Sequence, residues 1–352
     1  MKKTIAGDYL VYDASSQTYR LDSEQKVRDD VEKHYWKNVV RTVIKDWRLY
    51  LMLIPMILVF LFWRYFPMYE LLRCFKVADQ VKPVSEQLFS GFSYFNRLLF
   101  SGDQLSTDFW RALRNTFLLS FYGLIFGFPV PVILALFFNE IKSDILRSVY
   151  QVMTYLPKFI STVVMTSLVT MLVKQGSLTT NMGILSQGLV GLGVLTEKVA
   201  NAGLLNHPDF FRAIYQISGI WETAGYDSIV FFAAIIAISP TSYEAAQIDG
   251  ANKMAQMKYV VLPSILSTLV IMLITRIGSL LSVGYEKVML LYNANTFVTA
   301  DVVSTLAYRV GTEAASTQGI ASAAEMMSNV IGMLLVIGAN TVARKASDVS
   351  LY

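Results

Sequence analysis

Six long apolar runs decide what this chain can become. A helix needs roughly 20 apolar residues to cross the hydrocarbon core of a bilayer. The runs cover residues 49–67 (interrupted by Arg64), 116–138, 151–173 with Lys158, 213–238 with Glu222 and Asp227, 261–283 with Arg276, and 326–343. Helices satisfy their own backbone hydrogen bonds, which lipid demands. A β-barrel would show short alternating segments, whereas these runs are continuous. The expected fold is an all-α integral membrane protein with six transmembrane helices. Composition agrees: 54% of residues are hydrophobic and 16% charged, against about 25% charged in soluble domains.

Several function classes drop out at once. A net charge of +4 is small for 352 residues, so no nucleic-acid partner is expected. One cysteine, Cys74, cannot form an intramolecular disulfide, and with only His34 and His207 beside it a closed Cys/His zinc site is excluded. No Gly-Lys dipeptide occurs, so a phosphate-binding P-loop is absent. Zinc-protease His-Glu-x-x-His and Gly-x-Ser-x-Gly nucleophile signatures are missing too. The chain is not expected to be an enzyme or to hold a cofactor. Uphill transport would draw on an ion gradient or on another chain.

The expected layout is a cytoplasmic tail over 1–48, a membrane domain over 49–343 and a cytoplasmic tail over 344–352. Within the first tail, Val27, Val31, Tyr35 and Val39 recur every fourth position, which fits an amphipathic helix over 24–41 at the membrane surface or a solvated one. Residues 183–195 are apolar but short and hold four glycines, an interfacial or re-entrant pattern rather than a span. Pro129 and Pro131 should bend the second span, either on a transport path or as a packing kink. With the N-terminus in the cytoplasm, inside segments hold 11 Lys+Arg in 63 residues and outside segments 12 in 133. That density favours cytoplasmic termini and a multi-pass plasma-membrane protein.

The loop over 239–260, between the fourth and fifth spans, is the most informative stretch. Pro240 stops the fourth span, and Thr241 or Ser242 can cap a short helix with Glu244 near its positive end. Ala245 and Ala246 favour the helix. Gly250 permits a sharp turn before Pro263 and the next span. A short helix with a small-residue face suits docking into a partner's groove.

Glu244-Ala245-Ala246, three residues, Gly250, and then Leu262-Pro263 resemble the signature of binding-protein-dependent ABC importer permeases, with Val260 where isoleucine is usual. Asp249-Gly250-Ala251 resembles the carbohydrate-uptake branch. A second Glu-Ala-Ala at Glu313-Ala314-Ala315 is followed by Gly319 but has no later Leu-Pro. It is the full pattern between two spans that carries the resemblance. Asn115-Thr116, Phe128-Pro129, Asn139-Glu140, Tyr155-Leu156-Pro157, Gly284-Tyr285-Glu286, Leu291-Tyr292-Asn293 and Asp301-Val302-Val303 look similar to the oligosaccharide and polysaccharide permeases. Lys158 stands where histidine is expected and is read as snorkelling to the interface.

The resemblance implies the six-helix type I importer permease fold and a coupling site at Tyr243, Glu244, Ala245, Ala246, Asp249, Gly250 and Ala251. It further implies ATP and magnesium on a separate cytoplasmic ATPase dimer, a second homologous permease forming a heterodimer, an extracellular solute-binding lipoprotein and a sugar substrate.

Ionisable groups inside spans usually face a cavity or a partner. Glu222 and Asp227 with Trp221 and Tyr226, and Arg276, are the candidate substrate-pathway residues: aromatic faces can stack on sugar rings while carboxylates bind hydroxyls. The competing reading is a structural pair of Glu222 or Asp227 with Arg276. A gradient-driven secondary transporter, or a membrane enzyme acting on glycans, remain as alternative functions at this point.

Overall fold

In the computed structural model, residues 2–3, 9–13, 18–22, 39–40, 43–77, 79, 82–176, 182–281, 283–314 and 317–347 are described. The helix expected over 24–41 lies almost wholly outside them. The chain forms two compact units, residues 1–70 and 71–352.

The first unit departs from the expected plain tail. Strands β1 (Lys2–Lys3), β2 (Tyr9–Asp13) and β3 (Thr18–Asp22) form an antiparallel sheet in that order, with Tyr9 opposite Asp22 and Asp13 opposite Thr18. Tyr-Leu-Val-Tyr and Thr-Tyr-Arg-Leu are rich in aromatic and branched residues, which suit a pleated strand. This sheet is the exception to an otherwise helical chain among the described residues.

Four helices are long and apolar enough to cross a bilayer: Trp47–Phe75, Gln104–Glu140, Pro208–Ile236 and Gln318–Val342. They carry the first, second, fourth and sixth expected spans. Each is longer than the apolar run that announced it and starts before it. The second is 37 residues long, or about 55 Å at 1.5 Å per residue, so its polar first turns, including Arg111 and Arg114, extend beyond a ~30 Å core.

Pro129 does not break that helix. A π-helical turn at Gly123–Gly127 precedes it, and Pro129 opens the next segment, Pro129–Glu140. The wider turn absorbs the amide that proline lacks.

The third and fifth expected spans are each two helices meeting at an angle: Asp144–Phe159 with Thr162–Leu172 at 99°, and Lys253–Ser264 with Leu266–Gly278 at 63°. A single helix over 151–173 is thereby corrected. Pro157 cannot continue the hydrogen-bond ladder, and the Ser161 hydroxyl caps the second piece by accepting from the Val164 amide. Pro263 sits just before the second bend, so the straight part of the fifth span starts at Leu266, not at 261. The 183–195 stretch contains only the eight-residue helix Ile184–Gly191, about 12 Å long and too short to cross.

Packing falls into three cores. Leu98, Phe109, Leu306 and Ala323 join the start of the second span to the sixth; Leu119, Phe211, Val288 and Val302 join the second and fourth spans to the segment after the fifth. Val132, Ala135, Phe231, Ile235, Val261 and Ile265 join the far ends of the second and fourth spans to the start of the fifth. A close backbone approach falls at Gly225 on the fourth span. A Cβ there would lie 2.0 Å from the Thr154 carbonyl oxygen, so only glycine lets these backbones touch.

Candidate functional site

Two features stand out: a knob at one end of the helices and a cavity between them.

The knob is Pro240–Ile248. Ser239, not Thr241 or Ser242, holds the N-cap position. Its hydroxyl meets the Thr241 hydroxyl at 2.7 Å and caps no amide, because Pro240 at the first helical position leaves one amide fewer to satisfy. The helix ends on Gly250 at φ +78°, with Gly250 N donating to Gln247 O and Ala251 N to Ala246 O at 3.0 and 2.9 Å. That doubly bonded left-handed ending is where glycine is required. A Cβ at Gly250 would meet nothing, so the requirement is conformational and not steric. Asn252 caps the following helix through the Ala255 amide at 2.9 Å.

Glu244, Ala245, Gln247, Asp249 and Gly250 are exposed, and Ile248 is 86% exposed. Ala246 and Ala251 are half-buried. Tyr243 points the other way and packs on the Val132/Phe231/Val261 core. Burial pushes its phenol above the ordinary value; the Asn139 side chain opposes this, although the hydroxyl makes no hydrogen bond of full geometry. Lys253 bonds Glu140 at 3.3 Å, tying the loop to the end of the second span, though an exposed pair contributes little.

The cavity, about 500 Å³, lies between the second, fourth and fifth spans. Glu222 and Arg276 both line it. Trp221, Tyr226 and Asp227 do not: one helical face turns Glu222 inward, while Trp221 and Tyr226 are about half exposed, and Tyr226 packs edge-on against Phe159. Tyr215 supplies the aromatic wall instead.

The expected pairing of Glu222 or Asp227 with Arg276 is replaced by another. Lys287, from the helix Tyr285–Leu291 after the fifth span, bonds Glu222 at 3.0 Å with both side chains largely covered. Its ammonium also lies 5.4 Å from the Tyr215 ring centroid. Burial holds the Lys287 ammonium below its ordinary value, with Glu222 opposing. Lys158, at the break of the third span, is exposed and lines the cavity. Gln216 donates to the Leu119 carbonyl across the helix pair. Lys287 was missed because its partner is 65 residues away; its only signal was a cation just past an apolar run that ends beside Gly284.

A buried polar brace closes the end away from the knob. Asp301, fully buried, accepts from Arg309 at 2.8 and 3.2 Å and from the Thr305 hydroxyl at 2.8 Å. Asn115 donates to the carbonyls of Val298 and Asp301, both at 3.0 Å, and accepts from Arg212 at 3.0 Å. The Val303 amide donates to Thr116 at 3.0 Å. The Asp301 carboxylate raises the Arg309 guanidinium above its ordinary value, with burial opposing.

Crossing helices, a charged cavity between them and an exposed knob on the loop joining two of them define a membrane permease. The chain belongs to the family described as the binding-protein-dependent transport system inner membrane component, whose model matches residues 127–339. It is 33% identical over 311 residues to Protein LplB of Bacillus subtilis (strain 168), covering 88% of this chain and 92% of that one. It is 32% identical over 321 residues to the polygalacturonan/rhamnogalacturonan transport system permease protein YteP of the same organism, covering 91% and 95%. Among solved structures, a bacterial ABC transporter involved in the import of the acidic polysaccharide alginate matches with TM-score 0.75 and 37% identity over 88% of this chain and 99% of that one. A bacterial alginate ABC transporter in complex with alginate pentasaccharide-bound periplasmic protein matches with TM-score 0.75 and 37% identity over 90% of this chain and 100% of that one. The resemblance carried by Glu244–Pro263 and the helical permease fold are thus confirmed.

Proposed function

We propose that this chain is the translocation subunit of an ABC importer for an oligosaccharide, moving it through the cavity while a separate ATPase pair acts on the knob Pro240–Ile248. The observation that carries the reading is the placement of the knob. Its polar and small residues face solvent, and Tyr243 fixes it to three helices that also wall the cavity. A load on the knob therefore reaches the cavity through packed side chains, which transmit strain because interiors are dense. Tyr243, Glu244, Ala245, Ala246, Asp249, Gly250 and Ala251 form the coupling contact.

ATP and magnesium bind the ATPase, not this chain. A second permease completes the cavity as a heterodimer, a solute-binding lipoprotein delivers the sugar outside, and both termini face the cytoplasm of the plasma membrane. Relatives named for polygalacturonan and alginate transport support a saccharide cargo.

The test is uptake by cells carrying Glu244→Arg, with the ATPase followed by co-purification. Loss of uptake together with loss of the ATPase supports coupling through the knob. Undiminished uptake with the ATPase still bound refutes it. Uptake that collapses with a protonophore while ATP is held constant would favour a gradient-driven carrier instead.

A further inference from the structure

We infer that the cavity accepts a negatively charged oligosaccharide, with Arg276 and Lys158 receiving the carboxylates of its uronic acid units, and Lys287 shared between the cargo and Glu222. This rests on the transport role proposed above. Lys158, Arg276 and Lys287 face one carboxylate, Glu222, so the lining carries three positive charges against one negative, or +2.

The one carboxylate is already engaged by Lys287 at 3.0 Å. No acidic side chain pairs with Lys158 or Arg276 among the described residues. Lys158 is close enough to Lys287 for the two to repel. Both cations are exposed to the cavity, so an entering ligand meets them directly. A cavity lined by one sign of charge also concentrates ligands of the other sign.

The remaining lining suits sugar hydroxyls. Ser120, Gln216 and Thr223 offer neutral donors and acceptors, and Tyr215 a ring face. A volume of about 500 Å³ falls within the range of small-ligand sites, about 300–1,000 Å³. A neutral sugar offers Lys158 and Arg276 only hydroxyl oxygens, whereas a uronate chain supplies a carboxylate on each ring, the stronger acceptor. Glu222 then acts as a stand-in anion, holding Lys287 until the cargo arrives.

The experiment uses the complete transporter, with its ATPase, partner permease and binding protein, in proteoliposomes. Labelled trisaccharides of galacturonate, mannuronate and guluronate are compared with their fully methyl-esterified, neutral forms. At least one acid should be taken up, and its ester at least about tenfold more slowly. The binding protein could impose that preference alone, so the permease is varied.

Arg276→Gln should lower uptake of the acid about tenfold or more, the scale of one charge-assisted hydrogen bond, and Arg276→Lys should restore part of it. Glu222→Gln should move the other way, lowering the apparent KM for the acid, because Lys287 is released and the lining rises to +3. Size-exclusion profiles identical to the parent's mark the variants as folded. A structural role alone would lower uptake in both. Equal loss in Arg276→Gln and Glu222→Gln overturns the inference. Uptake of the esters in preference to the acids overturns it too while leaving a sugar importer in place. No uptake and no saccharide-stimulated ATP hydrolysis with either set overturns the transport reading as well.

Discussion

Asp301→Asn tests whether the buried brace holds the helices together. Asp301 is fully buried and is touched by Arg309 through both carboxylate oxygens, by Thr305, and by Arg111 at 3.7 Å. Asparagine keeps the volume and one acceptor but turns the other oxygen into a donor facing two guanidinium groups. The two guanidiniums left behind are partly exposed, so the loss should be that of charge-assisted hydrogen bonds, about 1.5–3 kcal/mol. The converse variant, Arg309→Met, should cost at least as much, about 3–5 kcal/mol, because the fully buried Asp301 carboxylate then loses its two-oxygen partner and keeps only Thr305 and Arg111 at 3.7 Å. The double variant should cost less than the sum of the two by at least ~1.5 kcal/mol, since Arg111 retains Asp108 at 2.9 Å. Reversible detergent unfolding of the purified chain measures all four corners of this cycle. A loss below about 1 kcal/mol for Asp301→Asn, or strict additivity, would refute the account of the brace as one coupled unit.

Three further outcomes follow from the same contacts. Gly225→Ala should destabilise the chain by about 1–3 kcal/mol or more, because the new methyl meets backbone that cannot turn aside; unchanged stability in the same unfolding assay would show the crossing to be looser than 2.0 Å implies. Gly250→Val should cost about 1–2 kcal/mol for a branched residue in the left-handed region and reduce uptake more than expression; uptake equal to the parent's would mean that the sharp turn is dispensable. Tyr243→Phe should change stability by less than about 1 kcal/mol, since the lost hydroxyl makes no full hydrogen bond, whereas Tyr243→Ala should uncouple ATP hydrolysis from uptake; an equal effect of the two would sink the role given to the ring.

The sequence made the spans legible because lipid imposes length and polarity together. Four of six runs became single helices longer than their apolar segment, since helices continue into polar flanks that hydropathy ignores. The two bent spans were marked by Pro157 and Pro263, yet the angles of 99° and 63° depend on what the halves pack against. The knob was readable from Glu244 to Gly250, because turn chemistry and spacing are local. Its cap fell on Ser239 instead of Thr241 because Pro240 moved the start. The cavity was half legible. Intramembrane charge singled out Glu222 and Arg276, but it could not reveal that Lys287 would claim Glu222, or that Asp227 and its aromatic neighbours would turn away. The strands at 2–22 announced themselves only by alternating aromatic and branched residues in a polar tail, a weak signal in a chain dominated by helices.

Tyr243 links the knob to the helices. Its ring is keyed among the far ends of two spans and the beginning of a third, while a few residues along the same short helix Ile248 stands clear of the protein. A small rotation of that helix about its axis would swing the ring sideways, so the output would be torque on a three-way joint and not a push along any one rod. The reach of the lever is the radius of one tyrosine, and how far the joint opens is then set by how tightly that socket grips it.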